Sequence, residues 1–340
     1  MNRRVRLQAV AAAVAALLWA QPAGAKKAAP CKPKDTIAVK GGGVKGLAMS
    51  PDGKWMATAN KDGTASILDL KGKLLKSLKG HSAELSSIAI SPDGKLVATG
   101  SEDKKIMLWE MPSGKQRAVL TGHNHTVKGL SFTPEGEALL SGSLDKQMGN
   151  WDPVAGKLNT MVGGQACILN GVVASRNTYG EKNWMVGGAC NDGLVRLYNL
   201  KTGKMVLALE KHEGEVHAVA FATTPVDGQH PMVTGDNDGK VIVWDVFGKT
   251  ARLVLDAGWT DAVAFSPDAK LVVGAGNDMA AHGMFKLWET KDGKLLNEQF
   301  PHDGNVTGVV FTPDGRLMFT GSMDETVKVW DVEQLKKGCG

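Results

Sequence analysis

The chain has 340 residues, which is enough for two ordinary domains or for one large β architecture. Hydrophobic residues make up 43% of the chain, which can support a real core, and its 42 glycines indicate many turns. The formal net charge is only +5, so the composition argues against the clustered basic excess that broad nucleic-acid binding requires.

The first 25 residues carry the pattern of a secretory signal peptide. Three arginines within the first six residues precede an apolar run from Leu7 to Ala20, and a small-residue cleavage pattern ends at Ala25. The apolar run is too short to span a bilayer comfortably, and an uncleaved membrane anchor is the alternative interpretation. Cleavage after Ala25 leaves residues 26–34 as a linker and a mature chain with 37 basic and 35 acidic side chains. We therefore expect a secreted or periplasmic protein with no membrane span in the mature chain.

A short pattern recurs along residues 35–340. Its copies read SILDL, IMLWEM, MGNWDP, VRLYNL, VIVWDV, FKLWET and VKVWDV. The acidic or asparagine positions are spaced by 41, 42, 47, 46, 44 and 42 residues and are Asp69, Glu110, Asp152, Asn199, Asp245, Glu289 and Asp331. A period of this length indicates one supersecondary unit per repeat.

Each repeat also contains a turn and short runs typical of strands. Turns such as SPDGK at Ser91–Lys95 combine a proline that presets φ with a glycine that adopts positive φ. Around them lie alternating, β-branched runs such as KIMLW and KVIVW, and no amphipathic helical pattern interrupts them. The sequence therefore predicts an all-β fold.

These repeats resemble those of the WD-repeat β-propeller family, and together they cover about residues 35–332. The resemblance implies a seven-bladed propeller of four-stranded blades around a central channel. One blade cannot bury both of its faces alone, so neighbouring blades stack and the ring must close. The last repeat ends one strand short, and an extra strand pattern at Asp35–Gly42 precedes the first repeat. We expect this N-terminal strand to complete the last blade and close the ring.

The resemblance also implies a buried, hydrogen-bonded tetrad of His, Ser or Thr, Asp and Trp in each blade. Three blades match in full, with His81, Ser101, Asp103 and Trp109 in blade 2, His123, Ser143, Asp145 and Trp151 in blade 3, and His302, Ser322, Asp324 and Trp330 in blade 7. We interpret these sets as structural networks rather than catalytic triads, because the same set recurs and is costly to leave half-satisfied.

The other blades depart from this tetrad. Blade 4 has Gln165, Cys190, Asp192 and Tyr198, and blade 5 has His212, Asp238 and Trp244 with Asp236 in the serine position. Blade 1 lacks most of the set, and blade 6 has Asp256 where His would stand. We expect these losses to affect local stability and not the overall fold.

The four cysteines predict two disulfides. Cys167 lies two residues beyond the His position of blade 4 and Cys190 occupies its serine position, so a bridge between them would replace the lost contact. Cys31 precedes the closing strand and Cys339 follows the last one, so a second bridge would lock the ring. An even cysteine count in a secreted protein favours such bridges. Free thiols or a link from Cys31 to Cys167 are the alternatives.

No motif predicts a bound cofactor or metal. The glycines of residues 41–46 are spaced like those of a dinucleotide loop, but a strand follows them instead of the helix that such a site needs. The segment Gly235–Lys240 resembles part of a calcium loop and lacks the downstream glutamate. Met279, His282 and Met284 are soft-ligand types on a turn, which we interpret as a surface loop.

Residues between the His position and the first strand of each blade are expected to form what we call the channel-side face. Its candidate partner-binding residues are His125, Lys128, Asn170, Glu215, His217, Trp259 and Asp261, and the same face includes Glu84, Ser86, Asn305 and Thr307. Trp259 occupies no repeat position, and exposed aromatics beside mixed charges are typical of binding hot spots. The alternative is that it caps the channel by packing on its neighbours. Insertions at Ser175–Trp184 and Thr223–Pro231 form a second candidate surface on the opposite face.

The sequence therefore predicts a secreted, non-catalytic WD-repeat scaffold that binds a protein or peptide partner through a propeller face. We expect it to be monomeric on its own, with no nucleic-acid partner. A propeller hydrolase or oxidoreductase is one alternative, for which His125, His217 and Asp261 are the candidate cluster. A cell-envelope carbohydrate-binding protein is another, in which Trp259 would stack on a sugar.

Overall fold

The computed structural model describes residues 30–162, 167–178, 184–226, 228, 230–278 and 280–339. The predicted signal peptide and the first residues of the predicted linker lie outside the described residues. So do Gln165, Met279 and part of the predicted insertion Ser175–Trp184.

The described residues form 28 strands and one short helix. In chain order these are β1 (Asp35–Ala38), β2 (Val44–Met49), β3 (Trp55–Asn60), β4 (Ala65–Asp69), β5 (Leu74–Leu78), β6 (Leu85–Ile90), β7 (Leu96–Ser101), β8 (Ile106–Glu110), β9 (Lys115–Leu120), β10 (Val127–Phe132), β11 (Leu139–Ser143), β12 (Met148–Asp152), β13 (Lys157–Val162), β14 (Leu169–Thr178), β15 (Trp184–Cys190), β16 (Leu194–Asn199), β17 (Met205–Glu210), β18 (Val216–Phe221), β19 (Met232–Asp236), β20 (Lys240–Asp245), β21 (Thr250–Asp256), β22 (Trp259–Phe265), β23 (Leu271–Asn277), β24 (Gly283–Glu289), β25 (Leu295–His302), β26 (Val306–Phe311), β27 (Leu317–Ser322), β28 (Thr326–Asp331) and α1 (Val332–Lys337).

The strands form seven antiparallel sheets of four, which are the blades of a propeller. Six blades use four consecutive strands, from β2–β5 in blade 1 to β22–β25 in blade 6. Blade 7 has the order β1-β28-β27-β26, so its outer strand comes from the N-terminus as predicted. Asp35 pairs with Val329 and Ala38 pairs with Thr326 in this closing contact. The predicted seven-bladed, N-terminally closed propeller is confirmed.

The hydrophobic core lies between the blades. Seven clusters of buried apolar side chains fill the seven gaps, and each cluster takes its members from two neighbouring blades. Between blades 6 and 7, for example, the ring of Phe285 meets Trp330 edge-on with centroids 5.0 Å apart. Because every blade buries its surfaces against its neighbours, an open ring would expose two apolar faces to water.

The Pro-containing turns interlock on the face opposite the channel-side face. The glycine of one turn sits against the proline of the preceding blade in four successive pairs, which are Gly315 with Pro267, Gly53 with Pro313, Gly94 with Pro51, and Gly136 with Pro92. At Gly53, which has a φ of +66°, an added Cβ would lie 2.8 Å from the Pro313 ring. Gly53 is therefore required both for positive φ and for close packing, whereas the equivalent turn of blade 6 has Ala269 at a φ of +56°.

The tetrads form, with one correction to their membership. In blade 2, His81 Nδ1 lies 2.9 Å from Asp103 Oδ2, and Trp109 Nε1 donates to Thr99 Oγ1 at 2.9 Å. The Thr99 hydroxyl lies 2.8 Å from His81 Nε2 and therefore links the two rings. Blades 3 and 7 use Ser141 and Thr320 in the same way.

Ser101, Ser143 and Ser322 are not the linking hydroxyls, so this part of the sequence prediction was wrong. Ser101 Oγ donates to the Glu84 carbonyl at 2.9 Å and accepts from the Asp103 amide at 3.1 Å, next to the turn. Ser143 and Ser322 occupy equivalent places. The linking residue lies two positions earlier, on the same side of the strand and deeper between the His and Trp rings.

Blades 4 and 5 replace the standard network in different ways. In blade 5, Asp236 and not Asp238 contacts His212 Nδ1, at 2.6 Å, so the acceptor is the residue at the serine position of the other blades. In blade 4, Asp192 forms two hydrogen bonds with the Arg196 guanidinium, at 2.8 and 2.7 Å. Cys167 and Cys190 form the predicted disulfide in the same blade.

The second predicted disulfide, between Cys31 and Cys339, joins the two ends of the ring. Asn297 and Gln299 of β25 bury their amides beneath it, where Gln299 accepts from the Cys31 backbone amide at 2.9 Å. Asn297 donates to the Leu335 carbonyl of α1 at 2.8 Å. The segment at Cys31 and the helix α1 are therefore fixed to blade 6 as well as joined to each other.

The tetrad correction makes a testable prediction for blade 7. Thr320→Val should lower the free energy of unfolding by about 2 kcal/mol, because it leaves Trp330 Nε1 without its buried acceptor. It should also speed hydrogen exchange of the Trp330 indole NH, measured by NMR. Ser322→Ala is the matched control and should leave that indole protected. Faster indole exchange in Ser322→Ala alone would contradict the assignment.

Candidate functional site

The channel-side face is built by a β-bulge at the start of every inner strand. In all seven blades the register of the innermost strand shifts around one extra residue. A bulge leaves its extra residue outside the regular ladder and re-aims its side chain. These bulge residues are Lys45, Ser86, Lys128, Asn170, His217, Asp261 and Thr307.

Most bulge residues contact the next blade around the channel. Ser86 Oγ donates to the Val127 carbonyl at 2.6 Å, and Asn170 Nδ2 donates to the Val216 carbonyl at 3.0 Å. Thr307 Oγ1 closes the circle by donating to a blade 1 carbonyl at 2.5 Å. Several residues that the sequence suggested for partner binding, Asn170 among them, therefore have a structural contact that joins neighbouring blades.

One group of side chains at the channel mouth spans three blades, and we call it the Asp261 cluster. It consists of Glu215 and His217 of blade 5, Trp259 and Asp261 of blade 6, and Asn305 of blade 7. Asp261 Oδ1 accepts from His217 Nδ1 at 2.7 Å and from Trp259 Nε1 at 3.1 Å, and its Oδ2 accepts from Asn305 Nδ2. Glu215 lies on the other side of the imidazole, 3.7 Å from His217 Nε2.

The Asp261 carboxylate is held in its ionised form. Partial burial opposes its ionisation, but the hydrogen bonds from His217, Asn305 and Trp259 outweigh that effect, so the pKa of Asp261 lies below its usual range. The two side chains of the His217–Asp261 pair are each 21% exposed. A charged acceptor with three donors fixes the orientation of all its partners.

Trp259 is held at the channel mouth but remains largely open. Its ring meets the His217 ring edge-on with centroids 5.6 Å apart, and 44% of the residue is exposed. The tetrad tryptophans, by contrast, are at most 3% exposed. Trp259 is therefore anchored along one edge by its neighbours and presents the rest of its surface to solvent.

Blade 3 contributes nothing to the Asp261 cluster. His125 Nδ1 accepts from the Thr126 amide at 2.8 Å within its own blade, and Lys128 is exposed. The cluster of His125, His217 and Asp261 that an enzyme would need is therefore not assembled, and only His217 and Asp261 meet. No local sequence motif marks the bulges that bring His217 and Asp261 together. The spacing of the candidate residues therefore could not show that His217 meets Asp261 while His125 meets neither.

The residues considered for metal binding have other partners. Among the described residues, the one group of potential ligands that lie close together is Cys167, Cys190 and Asp192. Its two sulfurs form a disulfide and its carboxylate binds Arg196. In the blade 6 turn, His282 Nδ1 lies 3.1 Å from Asp278, and Met284 is buried.

A separate cavity of about 1440 Å³ opens on the opposite face. The turns of blades 1, 5, 6 and 7 and the helix α1 line it, with Thr224, Phe265, Phe311 and Lys336 among the lining residues. Part of the predicted second surface, Thr223–Val226, therefore borders this cavity. Within the described residues, no helix has the length and hydropathy of a membrane span.

Comparison with known proteins places this propeller in a class. The family described as "WD domain, G-beta repeat" matches residues 31–69, 72–110, 114–152, 203–245 and 293–331. These matches cover more than half of the chain, so the protein belongs to the WD40 repeat family. Strands β14–β16 of blade 4, which has lost its tetrad His and Trp, lie outside the matched segments, and so do β22–β24 of blade 6.

Particular relatives share about half of this chain. The mouse protein "Cilia- and flagella-associated protein 52" is 27% identical over 168 residues, which is 48% of this chain and 26% of that protein. The rice protein "Small ribosomal subunit protein RACK1y" is 29% identical over 46% of this chain and 40% of its own length. "Nuclear distribution protein nudF" of Emericella nidulans is 28% identical over 43% of this chain and 36% of its own length. The matched region thus spans a quarter to two fifths of these relatives.

The Asp261 cluster predicts a pH-dependent loss of stability. Asp261→Asn should lower the free energy of unfolding by about 2 kcal/mol at neutral pH, since it removes the charged acceptor. Because the folded-state pKa is depressed, this stabilisation is complete above the ordinary carboxyl value of 3.8 and is lost as the pH falls through the folded-state pKa. The difference between wild type and variant, measured by urea unfolding, should therefore shrink below about pH 4.

The matched control for this measurement is Asn170→Ala. It removes a neutral contact between blades, so the loss in free energy of unfolding that it causes should not change with pH over the same interval. If the loss caused by Asp261→Asn also stays constant from neutral pH down to acid unfolding, Asp261 is not an ionised carboxylate in the folded protein.

Proposed function

We propose that this WD40 repeat protein is a secreted or periplasmic, non-catalytic scaffold that binds a protein or peptide partner through its channel-side face. The observation that carries this proposal is Trp259, a large aromatic residue that is 44% exposed at the mouth of the channel. Binding energy at protein interfaces concentrates in such residues, and Trp is enriched among them.

The Asp261 cluster would lower the cost of binding. His217, Trp259 and Asn305 are all fixed on one carboxylate, and that carboxylate belongs to an inner strand of a closed ring. Side chains that are already ordered lose little conformational entropy when a partner arrives. The site therefore offers preorganised contact, and the described residues at the channel mouth include no nucleophile activated by the His217–Asp261 pair.

The names of the similar proteins point to association with other cellular components. They associate those proteins with cilia and flagella, with the small ribosomal subunit and with nuclear distribution. For this chain such a role is a proposal, because the similarity covers only part of each relative.

Export from the cytoplasm is the second part of the proposal. It rests on the signal-peptide pattern of residues 1–25 and on the pairing of all four cysteines. Disulfides persist in oxidising compartments and are rare in the cytosol. Cys190 occupies the serine position beside the turn of blade 4, so the bridge would replace the hydrogen bonds that serine makes there in other blades, and it would stabilise blade 4 only where thiols oxidise.

A capture experiment tests partner binding. Exported wild-type protein carrying a photo-crosslinker next to Trp259 should capture a defined protein from its source cells, and Trp259→Ala should weaken its binding at least about tenfold. Phe300→Ala is the matched control and should leave the affinity unchanged. Phe300 is 49% exposed, as an aromatic residue comparable to Trp259, but it lies on the outer strand of blade 6. A partner whose affinity, measured by calorimetry, is the same for Trp259→Ala and wild type would contradict the channel-side face.

Mass spectrometry of exported protein tests the compartment. We expect a mature N-terminus at Lys26 and, without reduction, peptides joined through Cys31–Cys339 and Cys167–Cys190. Cys31→Ser with Cys339→Ser should lower the free energy of unfolding by about 3 kcal/mol, because the bridge restricts the unfolded chain. An intact Met1 in the cytosolic fraction together with free thiols would overturn the proposed export.

A further inference from the structure

The charges on the channel-side face are unevenly distributed around the ring. Two kinds of connection lie at this face. One joins each outer strand to the inner strand of the next blade, as defined above, and the other joins the second strand to the third strand within each blade. In blades 5–7 the described residues of these connections hold one basic residue, Lys211, and seven acidic ones, which are Glu213, Glu215, Asp238, Asp278, Asp303, Asp324 and Glu325. We call this region the acidic half.

Blades 1–3 have the opposite balance. The corresponding connections hold five acidic residues and six lysines, which are Lys40, Lys61, Lys79, Lys104, Lys105 and Lys146. Two bulge residues on this side, Lys45 and Lys128, add further positive charge. The low net charge of the whole chain therefore conceals a strong local field on one half of one face.

Much of the acidic half is open to solvent. Glu213, Asp238, Asp303 and Glu325 are exposed, and the side chain of Glu215 is 50% exposed. Asp278 and Asp324, by contrast, are hydrogen-bonded to histidines of their own blades. The exposed carboxylates are therefore the ones available to a partner.

The channel mouth adds acceptors and an aromatic ring to these charges. Asn305 directs its amide nitrogen to Asp261, and no donor among the described residues bonds to its buried Oδ1. A buried acceptor without a donor costs free energy until a donor reaches it. Trp259 lies beside it, and the face of an indole attracts cations. Acceptors, carboxylates and an open indole together favour a ligand that brings positive charge and N–H donors.

We propose that the acidic half binds a lysine- or arginine-rich segment of the partner protein, with one cationic side chain placed on Trp259 between Glu215 and Asn305. This inference rests on the proposed function and specifies the chemistry of its partner. Like-charge repulsion excludes acidic segments and nucleic acid from the same surface. A second copy of this chain is a poorer fit, because the same face of blades 1–3 has an excess of only three positive charges (eight lysines against five acidic residues), and the acidic half has an excess of six negative ones (seven acidic residues against Lys211).

The test uses the full mature chain and a fluorescein-labelled peptide of alternating lysine and serine, with a glutamate–serine peptide as comparison. Fluorescence anisotropy should show binding of the lysine peptide alone, and binding should weaken as NaCl rises because exposed charges are screened. Glu213→Lys with Asp303→Lys should reduce the affinity at least about tenfold, and Trp259→Ala should reduce it by about the same factor.

The matched control is Glu102→Lys, an exposed residue of the same face in blade 2. It should change the affinity by less than about twofold, because it lies across the channel from the acidic half. Equal binding of both peptides, or an equal loss in Glu102→Lys, would overturn the proposal. So would a dimer in analytical ultracentrifugation that the double charge reversal dissociates, since the occupant would then be a second copy.

The proposed function and this inference fail in distinguishable ways. A captured partner that depends on Trp259 but tolerates Glu213→Lys with Asp303→Lys keeps the scaffold function and rejects the cationic segment. In the other case, all three substitutions weaken binding of the lysine peptide, but Trp259→Ala does not change the affinity of the captured partner. That result supports the acidic half as a site and rejects the proposed function.

Discussion

Burial between neighbouring blades is the interaction on which the whole structure depends. Each of the seven apolar clusters belongs to two blades, so no blade has a core of its own. Closure of the ring is then obligatory, and it rests on the short pairing between β1 and β28. The Cys31–Cys339 bridge and the buried amides of Asn297 and Gln299 reinforce that pairing from the adjacent blade. The same closed ring is what makes the channel mouth rigid enough to present side chains.

The channel-side face shows how one structural device serves both stability and display. One bulge residue in each inner strand lies outside the regular strand pairing, and in most blades its side chain bonds to the next blade. The bulge residues His217 of blade 5 and Asp261 of blade 6 bond to each other, and this pair orients Trp259. Blade 6 has lost its tetrad His, and its connection into β22 is only two residues long, Ala257 and Gly258. Trp259 therefore stands at the start of the inner strand, where it can be both anchored and exposed.

The sequence predicted what depends on period and on pairing between repeats. Regular spacing predicted the blade count, and the missing last strand predicted the role of β1. Comparison with the complete blades predicted the Cys167–Cys190 bridge, and the positions of Cys31 and Cys339 next to the closing and last strands predicted the other bridge. It failed where two candidates lie two residues apart on the same side of a strand. Thr99 and Ser101 differ only in depth beneath the turn, whereas Asp236, at the serine position of blade 5, takes the place of the turn residue Asp238 in the contact with His212. The Arg196–Asp192 pair occurs in blade 4 alone among the described contacts, and α1 packs on β25 and β28, so neither follows from a pattern shared by the repeats.

The proposed binding of a partner at blades 5–7 of the channel-side face is tested by hydrogen–deuterium exchange of the intact chain, with and without its captured partner. We expect slower exchange at residues 211–217, 256–261 and 302–305, with unchanged exchange in the Pro-containing turns around the opposite cavity. Protection confined to those turns and α1, with the channel mouth unaffected, would contradict it.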